Sequence, residues 1–254
     1  MRKIDFVRKI MVTSVLLLIL LPVVLSGLSC VRSTGLQEKM IVAVSILPQS
    51  EPVEAIGGEK VSVMVMVPPG HDPHTYEPKP SQMRALADAA LYLKLGSGLA
   101  FELAYLDRLI DINKKMAVCD LSQGIQLIKS TEADAEGGAD PHIWLSPLNA
   151  GIMGQNACNC MVEIDPTNKV FYEENCAAYI GKLTQLDKDI REGLAQVKNR
   201  RFMVLHPAWV YFARDYNLEE IAIEVEGKEP SAQDMAGLID TAKEYQIKII
   251  FVSP

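Results

Sequence analysis

Residues 40–70 read MIVAVSILPQSEPVEAIGGEKVSVMVMVPPG. Two β-branched apolar runs, MIVAVSIL and VSVMVMVPPG, flank a polar segment closed by a pair of glycines. The runs predict strands, and PQSEPVEAIGGEK between them fits a short helix. Strand, helix, strand is a βαβ unit whose crossover makes the two strands parallel, so an α/β fold is expected.

Working outward, the alternation continues. Ser81 can cap a helix over QMRALADAA, which feeds a strand LYLKLG; a helix AFELAYLDRLID then leads to a strand KMAVCDL. STEADAEGGAD, residues 130–140, is small and acidic with no apolar period, and reads as a solvated linking loop. From Pro166 to Lys198 apolar residues recur at steps of three and four: Tyr172, Cys176, Tyr179, Leu183, Leu186, Ile190, Leu194 and Val197. Pro166 suits the first turn of that helix. A helix of this span would be a rod of roughly 50 Å at 1.5 Å per residue, long enough to serve as a spine.

After the spine, FMVLH, EEIAIEVEG and KIIFV read as strands, with helices AWVYFARDY and SAQDMAGLIDTAKEY between them. The expected organisation is an amino-terminal α/β lobe over 41–164, a linking helix over 165–199 and a carboxy-terminal α/β lobe over 200–254. Each lobe should hold a parallel sheet flanked by helices. The second lobe is expected to be incomplete, because its last strand has no covering helix after it.

Residues 1–30 read as an export signal, with Arg2, Lys3, Arg8 and Lys9 before the apolar run VLLLILLPVVL and small residues before Cys30. GLSC, residues 27–30, resembles the bacterial lipoprotein processing box, with Gly27 where that box prefers Leu; lipid on Cys30 and ordinary cleavage near Ser29 are both open. An exported protein is expected, periplasmic or on the outer face of the cytoplasmic membrane. A formal charge of -7 gives no basic footprint for nucleic acid. Cys119, Cys158, Cys160 and Cys176 follow no metal-finger spacing; Cys158 and Cys160, two apart on a helix, face different sides. They read as core thiols, with one disulfide possible.

The chain has four histidines, and two share a frame. GHDPHTYEP at 70–78 and GADPHIWLSP at 138–147 both run Gly, any residue, Asp-Pro-His, any residue, an aromatic, then a nearby Pro. Pro after Asp restricts the backbone, so His74 and His142 leave stiff loops in defined directions. His74 follows a strand, at the sheet edge where α/β folds collect ligands, and His206 ends another. These three imidazoles are candidate metal ligands, suited to zinc and less selectively to manganese, iron, copper or nickel. His71 lies outside the repeated position and reads as a bystander.

VPPGHDPHTYEPKPSQM, DPHIWLSP, VLHPAWVYFARDY and EGKEPSA, in that order, resemble the signature segments of the zinc/manganese substrate-binding proteins of ABC transporters, the TroA-like or cluster A-I family. The similarity runs from about residue 41 to the end. The resemblance implies two α/β lobes joined by one long helix and a metal held at their interface. It also implies delivery of that metal to a membrane permease powered by a separate ATPase, by a monomer without catalytic activity. It places ligands at His74, His142 and His206, and histidine at the third place resembles the zinc branch, with manganese the alternative cargo. The family's long His-rich loop is missing from STEADAEGGAD, and its fourth ligand, a carboxylate, would fall beyond Pro254. Because imidazole ligands must be deprotonated, affinity should fall below a pH of about 6.5.

Rival readings are a zinc hydrolase, for which HExxH is missing, and a surface adhesin. Glu224, Glu226 and Glu229 read as a solvated loop able to offer a substitute oxygen ligand. Tyr76 and Trp144 are expected to pack beside the histidine loops, and Met64 and Met66 to lie on a sheet face.

Overall fold

The computed structural model describes residues 39–130, 138–224 and 230–252; the export signal with Cys30, most of the 130–140 loop, Glu226 and Glu229 lie outside them. From Lys39 onward the chain is one compact unit. Strand β1 (Met40–Ile46), helix α1 (Ser50–Gly57) and strand β2 (Val61–Val67) form the βαβ unit expected from residues 40–70. β1 pairs parallel to β2 from Met40 opposite Val61 to Ile46 opposite Val67. Helix α2 (Pro80–Leu86) leads to β3 (Leu91–Lys94), and helix α3 (Ala100–Ile112) to β4 (Ala117–Asp120). The sheet order is β2-β1-β3-β4, all parallel, so the direction of winding reverses between β1 and β3. At such a reversal the loops leaving the two strands diverge and open a crevice.

The continuous apolar runs are explained by burial on both sheet faces. Val42, Ala43, Val44, Leu91, Tyr92 and Leu93 are fully enclosed, with Phe101 and Leu109 of α3 and Ile56 of α1 packed over them. Each Val, Leu, Ile or Phe among them contributes roughly 1.5–3 kcal/mol relative to exposure. Met66 is buried and Met64 half-buried on the same strand, as sheet-face packing requires.

Three local readings need correction. Ser81 does not cap α2: the helix begins at Pro80 after an extended Lys79, whose N–H is accepted by Gln82 Oε1 at 2.9 Å. Residues Pro147–Ile164 form a helix, α4, whose extent around Cys158 and Cys160 the apolar pattern does not announce; Ser146 caps it by accepting Asn149 N–H at 3.1 Å, and Pro147 occupies its first turn. The spine opens with a 3-10 turn at Pro166–Asn168, continues as α5 (Lys169–Leu194) and ends before Lys198. At 1.5 Å per residue its α-helical part is about 39 Å long. Of its apolar stripe only Tyr172, Cys176 and Tyr179 are buried, against α4 and α1, while Leu186 and Val197 are exposed.

The second sheet holds β5 (Arg201–Val204), β6 (Glu219–Ala222) and β7 (Ile250–Phe251) in the order β6-β5-β7, again parallel, with helix α6 (Val210–Tyr216) after β5 and helix α7 (Ala232–Glu244) before β7. Cys119 on β4 and Cys160 on α4 form a disulfide, while Cys158 and Cys176 are free and buried. Cys158 and Cys160 thus do face different sides of α4.

Past β3 the chain turns through Gly96, at φ 78°, into α3. Glu102 of α3 is buried beneath this turn and accepts the N–H groups of Leu95 at 2.5 Å and Gly96 at 3.0 Å, along with the Ser45 hydroxyl. Burial raises its pKa, an effect these donors counter. A Cβ on Gly96 would lie 1.9 Å from Asp120 Oδ1, whereas one on Gly70, at φ 79°, would meet nothing. Gly70→Ala should therefore cost about 1–2 kcal/mol for the left-handed backbone alone. Gly96→Ala should cost about 1–3 kcal/mol more, for the collision. Urea unfolding of the two variants measures the difference, and equal costs would contradict it.

Candidate metal centre

The two Gly-x-Asp-Pro-His frames fold alike. Gly70 and Gly138 have φ of 79° and 69°. Two residues on, Asp72 Oδ1 accepts His74 N–H at 2.9 Å, and Asp140 Oδ1 accepts His142 N–H at 2.9 Å. Each frame is thus an Asx turn, in which the aspartate fixes the backbone that carries the histidine, with proline stiffening the link.

Beyond that turn the copies diverge. Asp140 Oδ1 also lies 3.1 Å from His142 Nδ1, so the carboxylate accepts the ring proton as well. The second loop is held from two directions: Ser97, just past the Gly96 turn, donates to Pro141 C=O at 2.8 Å, and Tyr211 on α6 donates to Asp140 C=O at 2.8 Å. The Tyr211 hydroxyl in turn accepts Ile128 N–H at 3.2 Å. Ser146 Oγ bonds Asp215 Oδ2, and Arg214 donates to Gln126 C=O at 2.9 Å, so α6 grips the whole segment around His142.

His206 follows β5. Parallel pairing puts Val204 opposite Ala222, so the residues two places on, His206 and Glu224, fall side by side. His206 Nδ1 lies 3.0 Å from Glu224 Oε2. Glu220 braces the turn after His206 by accepting the N–H groups of Ala208 and Trp209, both at 3.0 Å. Burial pushes the Glu220 carboxyl up, against the pull of those two donors.

These loops bring His142 and His206 together, with ring centroids 5.4 Å apart and planes at 77°. Trp144 lies against His142 at 5.2 Å. A carboxylate on each Nδ1 makes that nitrogen the N–H donor and leaves the Nε2 lone pair of both rings for a ligand. Two imidazoles sharing one tetrahedral zinc at about 2.0–2.1 Å would have centroids roughly 5 Å apart. The pair therefore has the spacing of a half-built zinc sphere.

His74 is not part of this pair. Its backbone is fixed, but the residue is exposed, and its ring makes no hydrogen bond or ring contact among the described residues. Among those residues no three His, Cys, Asp or Glu side chains stand close enough to hold a metal. His71 packs edge-on against Tyr76 at 5.0 Å, and Tyr76 donates to Gln82 Oε1 at 2.6 Å. Glu224 is a partner of His206 rather than a member of a solvated loop.

Asp140, Glu220, Tyr211 and Ser97 escaped sequence reasoning. The Asp-Pro-His repeat did signal Asp140, since a repeated Asp two before a repeated His fits an Asx turn. Glu220 and Glu224 needed the strand register, and Ser97 and Tyr211 the tertiary fold.

Residues 42–254 match the family model of the zinc-uptake complex component A, periplasmic. The chain belongs to this family of substrate-binding receptors for metal-importing ABC transporters, which are carriers rather than enzymes. It is 29% identical over 232 residues to the high-affinity zinc uptake system protein ZnuA of Bacillus subtilis, covering 84% of this chain and 70% of that protein. To the manganese ABC transporter substrate-binding lipoprotein scaA of Streptococcus gordonii it is 31% identical over 205 residues, covering 78% of this chain and 66% of that one. A crystal structure of ZnuA superposes with a TM-score of 0.78 at 44% identity, over 85% of this chain and 82% of that one.

Tyr211→Phe removes one hydroxyl and leaves the Asp140 carbonyl and the Ile128 N–H without that partner. The expected loss is about 1–3 kcal/mol of stability in urea unfolding. An unchanged midpoint would show that this strut carries no load.

Proposed function

We propose that this chain captures zinc through His74, His142 and His206 and hands it to the permease of an ABC importer. The observation that carries the reading is the 5.4 Å spacing of the His142 and His206 rings, each with its Nδ1 against a carboxylate. Such backing fixes the tautomer and raises the basicity of the ligating nitrogen. His74, mounted in the same Asx turn but exposed, joins by a movement of the 68–80 loop toward the pair. Three neutral imidazoles leave one tetrahedral position for an oxygen ligand. Zinc is preferred over manganese because imidazole suits zinc, whereas manganese takes oxygen-rich octahedral sites. Release follows from the reverse movement and is favoured by acid, since protons compete for the same nitrogens.

The receptor acts as an exported monomer held at the membrane through lipid on Cys30. The zinc-uptake names of the family model and of the Bacillus subtilis relative support the direction of transport. No adhesive surface or catalytic base is required by this reading.

Zinc titration against a competing chelator tests the ligand set. His142→Ala and His206→Ala should each weaken binding at least about 100-fold, and His74→Ala should also weaken it strongly. His71→Ala should change it little. Asp140→Asn, which keeps size and an acceptor oxygen but loses the negative charge beside the ring proton, should cost about 10–100-fold. Unchanged titration of His142→Ala would refute the site, and loss of binding in His71→Ala with His74→Ala intact would move the ligand within that loop.

A further inference from the structure

Cys158 on α4 and Cys176 on α5 have no part in the metal centre, yet they face each other. The helices run antiparallel and approach closely at Gly154, where a Cβ would lie 2.8 Å from the Tyr179 ring. One turn along, the thiols are matched reciprocally. Cys158 Sγ is 3.6 Å from Tyr172 C=O, one turn before Cys176, and Cys176 Sγ is 3.8 Å from Gly154 C=O, one turn before Cys158. Each sulfur therefore points at the turn that carries the other. Both residues are almost fully enclosed, at 2% and 3% exposure.

The opposite side of α4 is already cross-linked, through Cys160 to Cys119 at a Cα separation of 6.5 Å. A disulfide of that kind is characteristic of an oxidising compartment. We propose that Cys158 and Cys176 form a second disulfide there, fastening α4 to the spine helix α5. The oxidant is a small-molecule disulfide such as oxidised glutathione. One cysteine thiolate attacks its disulfide and releases one thiol; the second thiolate then displaces the other from the mixed disulfide. One S–S bond forms in the protein and one breaks in the oxidant, which gains both electrons and both protons as two thiols.

Timing follows from burial. In the packed helices burial and the neighbouring thiol push Cys158 up to about 12, and burial raises Cys176 as well, so little thiolate is present to exchange. The bond forms before α4 and α5 close, and packing then shields it from reductants. With both bridges in place α4 is fixed to β4 on one side and to α5 on the other. That rigidifies the helix which begins five residues after His142.

The test uses the full chain carrying Cys30→Ser, reduced and unfolded in urea and then refolded in a glutathione redox buffer. After quenching, free thiols are alkylated under denaturing conditions and peptides are mapped without reduction. The expected result is no alkylation of either residue and one peptide pair joining Cys158 to Cys176, which separates on reduction. Alkylation of either cysteine, or its linkage to Cys119, Cys160 or glutathione, overturns the proposal.

Discussion

A single contact is repeated on the two histidine loops: an aspartate carboxylate accepting the N–H of the histidine two residues later. Asp72 does this for His74 and Asp140 for His142, in both cases at 2.9 Å. The turn costs little, because glycine ahead of it takes the left-handed backbone freely and proline within it has already lost much of its freedom. What it delivers is direction. A histidine on an unconstrained loop would have to lose backbone entropy when it met its ligand, whereas here much of that loss has occurred on folding.

The second loop goes further than the first. Asp140 also accepts the His142 ring proton, Ser97 and Tyr211 hold the carbonyls of Pro141 and Asp140, and Glu102 anchors the turn from which Ser97 projects. Support for one imidazole thus reaches back to the first sheet and across to α6. His206 has an equivalent arrangement in Glu224 and Glu220, supplied by the register of β5 with β6. The braced part of the arrangement is the pair His142 and His206, whereas His74 stands exposed on its own loop, apart from them. With the proposed ligand set, such a division suits a receptor that must both bind and let go, since His74 would leave without disturbing the pair.

The sheets were legible because strands buried on both faces must be continuously apolar, and MIVAVSI or VSVMVMV admit few other readings. The three histidines were legible as candidates because the chain has so few and because Asp-Pro-His recurs. The extent of helix α4 was not, since Gly, Asn and Cys at its interior blur the apolar period and only Ser146 followed by Pro147 marks its start. The spine's terminus was overrun because its apolar stripe continues to Val197, past the point where packing against α4 and α1 ceases. Glu220, Glu224, Ser97 and Tyr211 act across distances in sequence that no local pattern encodes.

Diffraction from the zinc-loaded chain at the zinc absorption edge addresses the arrangement most directly. The account predicts an anomalous peak about 2.0–2.1 Å from Nε2 of both His142 and His206, with Asp140 and Glu224 still on their Nδ1 atoms and His74 drawn in as the third donor. Zinc bound elsewhere, or bound to Nδ1 with those carboxylates displaced, would contradict it.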